Sequence, residues 1–210
     1  MKLSRRKFFI FGSSAGLGAA GAASAAQLKA TPRQTEGPFY PIQAQKDKDF
    51  DLTKVEGKEG VAKGEQIHIV GTVVDTEGNP VEDATVDLWQ ANAAGRYAHP
   101  HDKNPAPLDE NFQGWAIVPS GKEGGFKFKT IKPGAYPASK KWMRPPHIHF
   151  KVSKRGYVEL TTQMYFPGEK LNETDGILQR HPKEEQELVI AKQDEDQADT
   201  LHFRIVLQKA

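Results

Sequence analysis

Two histidines separated by one residue stand in residues 144–150, whose sequence is RPPHIHF. Apolar residues alternate with His147 and His149, which predicts a β-strand with both histidines on one face, because side chains point to alternate faces. The two histidines would lie roughly 7 Å apart along the backbone, close enough for their imidazoles to bind one metal ion. The opposite face carries Ile148 and Phe150 and suits a hydrophobic core.

Two tyrosines, Tyr97 and Tyr136, extend this candidate set of metal donors. A phenol ordinarily titrates at about 10, but a strong Lewis acid stabilises the phenolate and lowers that value. Phenolate is a hard anionic oxygen donor that favours a trivalent ion. Zinc usually takes cysteine, histidine or carboxylate, and the chain has no cysteine. Two imidazoles and two phenolates would fit Fe(III) and leave positions for hydroxide and substrate.

A rival histidine pair, His99 and His101, flanks Pro100 beside Tyr97. The proline and the polar residues that follow predict a loop there rather than a strand. A lone His-x-His pair is also more often structural than metal-binding. A cupin-type dioxygenase or a divalent-metal hydrolase would need a carboxylate ligand, and no His-x-Glu or His-x-Asp motif lies near His147 and His149.

Short segments rich in β-branched and aromatic residues, separated by Gly and Pro, predict the strands that position these donors. They lie at residues 67–74, 84–89, 125–130, 146–153, 158–166 and 201–207, and residues 183–192 predict one short helix. The pattern predicts a mainly β fold, an antiparallel β-sandwich with long loops and little helix. Residues 65–210 would form the sandwich, and residues 27–64 an irregular N-terminal arm.

The N-terminus carries the pattern of an export signal. Arg5 and Arg6 precede an apolar run rich in Ala and Gly, and the small residues at 23–25 suit a signal peptidase. We expect residues 1–26 to be a twin-arginine signal peptide and the protein to be periplasmic or secreted. This segment holds four basic residues and no acid, so its removal changes the formal net charge from +2 to −2.

The chain that remains has no run of basic residues, which argues against a nucleic-acid partner. The mean hydropathy is −0.63, and no internal run reaches the roughly 18 apolar residues that span a membrane. We therefore expect no stable membrane insertion after the signal is removed.

The sequence resembles the intradiol ring-cleavage dioxygenases, the non-haem Fe(III) enzymes that open catechols between the two hydroxyls. The resemblance covers residues 31–208. Its most specific feature is the order Tyr, Tyr, His-x-His, with an arginine three residues before the first histidine. The matching stretches are 34–40 (QTEGPFY), 71–75 (GTVVD), 86–92 (VDLWQAN), 95–97 (GRY), 144–150 (RPPHIHF) and 162–166 (TQMYF).

The resemblance implies a reaction and a role for each matching residue. The four ligands of a non-haem Fe(III) would be Tyr97, Tyr136, His147 and His149. The partners would be a catechol-type substrate and O2, with both oxygen atoms entering a ring that opens to a cis,cis-muconate-type product. Tyr136 would also act as a base, Arg144 would stabilise the anionic ring, and Gln163 would orient Arg144 or line the pocket.

The short chain is similar to a protocatechuate dioxygenase subunit, although Ala138 stands where those enzymes carry a pocket tryptophan. That similarity implies an oligomer, built either from identical chains or with a related subunit. The strands near residues 71–86 also match transthyretin-like (prealbumin-like) sandwich modules, many of which bind ligands without catalysis. This alternative leaves the tyrosines and histidines unexplained, and iron content would distinguish the two hypotheses.

Overall fold

The computed structural model describes residues 27–43, 45 and 47–210, and the predicted signal peptide at 1–26 lies outside the described residues. Ten strands dominate this part of the chain. They are β1 Gln66–Asp75, β2 Thr85–Trp89, β3 Trp115–Pro119, β4 Gly125–Ile131, β5 Tyr136–Ser139, β6 Trp142–Arg144, β7 His147–Ser153, β8 Leu160–Tyr165, β9 Lys192–Gln193 and β10 Thr200–Leu207. Within it, one α-helix, α1, spans Lys183–Val189, and short 3₁₀ segments span Lys170–Thr174 and Leu178–Arg180.

The strands form two four-stranded sheets and a separate hairpin. The first sheet has the order β4-β1-β10-β9, the second has the order β3-β2-β7-β8, and β5 pairs with β6. All these pairs are antiparallel except β1 with β10, which is parallel. The predicted mainly β, antiparallel-rich sandwich with little helix is therefore confirmed.

The core lies between the two sheets and anchors one face of β7. The Phe150 ring packs against Phe126 and Phe128 of β4, with centroids 6.0 Å and 6.4 Å away, and against Phe203 of β10 at 5.3 Å. Ile148 and Phe150 are fully buried in this cluster. Because strand side chains alternate, the other face of β7 is left to carry the two histidines.

The sequence pattern does not predict β3, β5, β6 and β9, which are two to five residues long and too short to show a clear alternation. The arm at 27–64 contains no strand among its described residues and follows the sandwich through backbone hydrogen bonds. Thr31 N donates to Val206 O at 3.1 Å, and Gln34 N donates to Thr161 O at 2.9 Å. No helix in the described ranges has the length and apolar character needed to cross a membrane.

The turn after β1 depends on Asp75, which is 1% exposed. Its carboxylate accepts hydrogen bonds from the backbone N–H groups of Glu77 and Asn79, each at 2.9 Å, and lies 3.2 Å from Lys209 Nζ. Burial alone would raise the pKa of Asp75, but these hydrogen bonds and the lysine outweigh it and lower the pKa to about 2. The ionised carboxylate therefore stabilises the fold above about pH 4, and this contribution is lost as the pH falls towards 2.

We expect Asp75→Asn to lower the free energy of unfolding by about 2 kcal/mol at pH 7. The deficit should shrink as the pH approaches about 2, because the wild-type carboxylate is then protonated as well. Urea unfolding at both pH values measures the difference. Glu77→Gln changes the exposed acid of the same turn and should stay within about 0.5 kcal/mol of wild type. An Asp75→Asn deficit that does not change with pH would contradict this account.

Candidate metal centre

Strand β7 places both histidines at one end of the second sheet. His147 begins the strand opposite Tyr165 of β8, and His149 lies between Trp89 of β2 and Gln163 of β8. The two imidazole rings are 5.0 Å apart, as the predicted strand face requires. The His149 ring stacks on Trp89 at 4.8 Å with an angle of 14° between the planes, so Trp89 holds its orientation.

Close backbone packing brings the two tyrosine segments together. Gly95 has φ of +77°, and a Cβ there would overlap the carbonyl oxygen of Ala135. Gly134 packs equally closely against the backbone of Ala93, and its N–H donates to Asn92 O at 2.9 Å. Only glycine permits both approaches without displacing the backbone. The Tyr97 loop therefore lies directly against the entry to β5.

Hydrogen bonds within its own loop hold Tyr97 in place. The buried carboxylate of Asp102 accepts from Tyr97 N at 2.7 Å and from Asn104 N at 2.8 Å. Tyr136 begins β5 and pairs with Arg144 of β6. The hairpin of β5 and β6 therefore delivers a phenol and a guanidinium to the same region.

The four candidate donors form one buried cluster. The Tyr97 and Tyr136 rings are 5.6 Å apart, Tyr136 is 5.6 Å from His147, and Tyr97 is 6.2 Å from His149. The Tyr97 Oη atom lies 3.4 Å from His147 Nε2. Each of the four side chains is at most 8% exposed. The structure thus brings together all four residues that the sequence proposed as metal ligands.

Burial governs the protonation of this cluster. It raises the pKa of Tyr97 well above the ordinary value, with Tyr136 adding to the shift, and it also raises the pKa of Tyr136. It lowers the pKa of His147 well below its ordinary value and that of His149 to about 3, with the charge of Arg144 acting in the same direction. The four side chains alone are therefore neutral at pH 7. A cation among them would favour the phenolates.

The donor atoms fit a metal ion. His147 Nδ1 donates to the Pro145 carbonyl at 2.7 Å, which leaves Nε2 with its lone pair beside Tyr97. His149 Nδ1 is buried and has no hydrogen-bond partner among the described residues. Nowhere in the described ranges do three or more His, Asp or Glu side chains form a group that could hold a metal. The phenols of Tyr97 and Tyr136 lie beside these imidazoles and could complete a two-histidine site.

Arg144 lies beside this cluster in a buried network and is 3% exposed. Its Nε donates to Asp175 Oδ1 at 2.8 Å, and its Nη2 donates to Gln163 Oε1 at 2.6 Å. Gln163 Nε2 in turn donates to Thr35 O at 3.0 Å. Gln163 is therefore positioned to orient the guanidinium.

Asp175 and Tyr165 complete the network, and the sequence pattern predicts no site role for either residue. Asp175 is fully buried and accepts from Tyr165 Oη at 3.2 Å and from Trp142 Nε1 at 3.2 Å. Tyr165 belongs to a stretch that carried the family resemblance, but Asp175 lies in a polar segment with no distinguishing pattern. No local signal indicates that this acid is buried against Arg144.

A cavity of about 720 Å³ opens onto the site. Tyr136, Arg144 and His149 line it, together with residues 35–39 of the arm. The rival residue His101 also lines this cavity, but it is exposed and pairs with His99 in a loop, with ring centroids 5.2 Å apart. The arrangement therefore gives a small molecule access to Tyr136 and His149 of the four-donor cluster.

A family model described as a dioxygenase matches residues 35–209. The protocatechuate 3,4-dioxygenase beta chain of Burkholderia cepacia is 41% identical over 190 residues, which cover 86% of this chain and 80% of that one. This chain belongs to the intradiol ring-cleavage dioxygenase family. It is accordingly an enzyme for catechol-type ring cleavage between the hydroxyls, and the non-catalytic transthyretin-like alternative is set aside.

Two further related proteins are similar to this chain over most of its length. The alpha chain of the same Burkholderia cepacia enzyme is 32% identical over 179 residues, covering 80% of this chain and 85% of that one. The solved dioxygenase domain of a carbohydrate-binding fusion protein from Streptomyces sp. SirexAA-E is 27% identical, with a TM-score of 0.66 and coverage of 87% and 100%. The chain spans less than half the length of the hydroxyquinol-type relatives that it matches.

Proposed function

We propose that this intradiol dioxygenase binds Fe(III) and uses it with O2 to open a catechol-type ring. The ligands would be Tyr97, Tyr136, His147 and His149. The supporting observation is that these two phenols and two imidazoles form one buried cluster, and that two of them, Tyr136 and His149, line a cavity. Two phenolates would offset two of the three charges of Fe(III), which favours this ion over zinc.

When bound, Fe(III) would supply a Lewis acid that draws electron density from the catechol ring. Tyr136 lines the cavity, and as the phenolate that a bound cation favours it would accept a proton from a catechol hydroxyl. The Arg144 guanidinium stabilises the negative charge on the ring. Because Asp175 and Gln163 already hold Arg144 in place, it does not need to reorganise during the reaction. The product would be a cis,cis-muconate-type acid.

We also propose an exported, oligomeric enzyme. Export by the twin-arginine route to the periplasm or beyond is supported by Arg5, Arg6 and the apolar run that follows them. That route carries folded proteins, which suits an enzyme whose metal is inserted before export. Assembly from identical chains or with a related subunit is supported by the similarity to both the alpha and the beta chain of one enzyme.

The visible spectrum of the purified protein tests the metal centre. The protein reconstituted with iron is expected to be red-brown, because charge transfer from tyrosinate to Fe(III) absorbs visible light. Anaerobic addition of catechol should move the band to longer wavelength as the substrate chelates the metal. The same protein loaded with Zn²⁺ is the control and should stay colourless, since zinc is d¹⁰ and redox-inactive. A colourless protein with a full complement of iron would contradict the proposed ligands.

A further inference from the structure

The cavity extends well beyond the four-donor cluster. Cavities of 300–1,000 Å³ hold drug-sized ligands, so a single dihydroxylated ring fills only part of its volume of about 720 Å³. Two buried members of that cluster, Tyr136 and His149, are among its lining residues. Pro137 and the small side chain of Ala138 line the space next to Tyr136, which leaves room for a substituent on the ring.

Two exposed cations that have no acidic partner in the described ranges also line the cavity. Arg180 ends a 3₁₀ segment, is exposed, and has no ion pair or side-chain hydrogen bond among the described residues. Lys103 is also exposed, and its Nζ has only a 3.3 Å hydrogen bond to Pro100 O within the described part of the chain. Arg144 differs from both, because Asp175 neutralises it.

The acids that line the same cavity are engaged elsewhere. The Glu36 carboxylate is paired with Lys151. The Asp102 carboxylate is buried and accepts from the backbone of Tyr97 and Asn104. The positive charges of Arg180 and Lys103 are therefore available to a ligand.

We propose that this cavity selects a catechol whose ring carries a flexible side chain ending in a carboxylate. The ring would lie at the four donors and the carboxylate at Arg180 and Lys103. A guanidinium matches a carboxylate with two parallel hydrogen bonds, and the lysine adds a second positive charge. This inference rests on the proposed function, because it assumes that the dihydroxylated ring enters the cavity first.

A matched pair of substrates tests the proposal with the iron-loaded enzyme. Dihydrocaffeate and its methyl ester share the ring and the chain, and they differ at the terminus, where an uncharged methyl ester replaces the carboxylate. We expect kcat/KM to favour the acid by about tenfold. Arg180→Gln and Lys103→Gln should each reduce the ratio of acid to ester by about threefold, the scale of one exposed ion pair. Added salt should reduce the ratio in the wild type as well.

Calorimetric titration of the metal-free protein with both compounds gives a second readout that needs no turnover. The acid should bind more tightly than the ester. Arg155→Gln is the matched control, because Arg155 is an exposed arginine beyond the far end of β7, and it should leave the ratio unchanged. The carboxylate proposal would be overturned by equal kcat/KM for the acid and the ester, or by an unchanged acid-to-ester ratio in both cavity variants. If catechol itself is still turned over in that case, the proposed function stands. Failure to turn over any catechol would overturn both.

Discussion

Tyr136→Phe is expected to lower kcat for ring cleavage by at least about a hundredfold, the scale of losing a general base. The change removes a single oxygen atom and keeps the aromatic ring, which packs 5.6 Å from both Tyr97 and His147. In the proposed mechanism that oxygen is both a metal donor and the acceptor of a catechol proton. Oxygen consumption with catechol measures the loss of turnover, and the visible band should weaken at the same time.

Two further variants separate this effect from general damage to the fold. Tyr157→Phe makes the same change at a half-buried tyrosine between β7 and β8, and it should leave both turnover and colour unchanged. His101→Gln changes the rival histidine pair, and it should leave the iron content unchanged. His149→Gln should behave like Tyr136→Phe and lose turnover. A fully active Tyr136→Phe enzyme would refute the mechanism as proposed.

Asp175→Asn is expected to lower the free energy of unfolding by about 3 to 5 kcal/mol, the cost of leaving a buried charge without its partner. Asp175 is fully buried and lies 2.8 Å from the Nε of Arg144, which is itself buried. The asparagine keeps the shape of the side chain but removes its charge, so Arg144 loses its neutralising partner. Urea unfolding measures the loss, and kcat should fall as well because the guanidinium is no longer held beside Gln163.

A double variant tests whether the loss comes from this ion pair. The double variant Arg144→Met/Asp175→Leu should regain part of the free energy of unfolding that Asp175→Asn loses, because no unpaired charge remains. Its turnover should stay low, because Arg144 is absent. Glu173→Gln removes an exposed acid from the same segment and should stay within about 0.5 kcal/mol of wild type. Equal stability of Asp175→Asn and Glu173→Gln would show that the buried ion pair contributes nothing.

The fold class and the histidine pair could be predicted from local sequence. Alternation in residues 144–150 sets His147 and His149 on one face of a strand and Phe150 on the other, and the structure has this arrangement. This prediction of the strand faces is correct because the alternation of side chains follows from backbone geometry alone. Strands β5 and β6 are too short to show such an alternation, so the sequence does not predict them. Their pairing nevertheless places Tyr136 and Arg144 at the site.

Local sequence patterns are enough to predict the β-sandwich and the histidine strand, and the motifs are enough to indicate the family. Three other features become visible only in the folded chain: Asp175 neutralises Arg144 from 31 residues away, β10 pairs in parallel with β1, and Arg180 and Lys103 line the same cavity. The reason is that side-chain alternation and turn residues act over a few neighbouring positions. Long-range contacts depend instead on how whole segments pack, which no local pattern encodes.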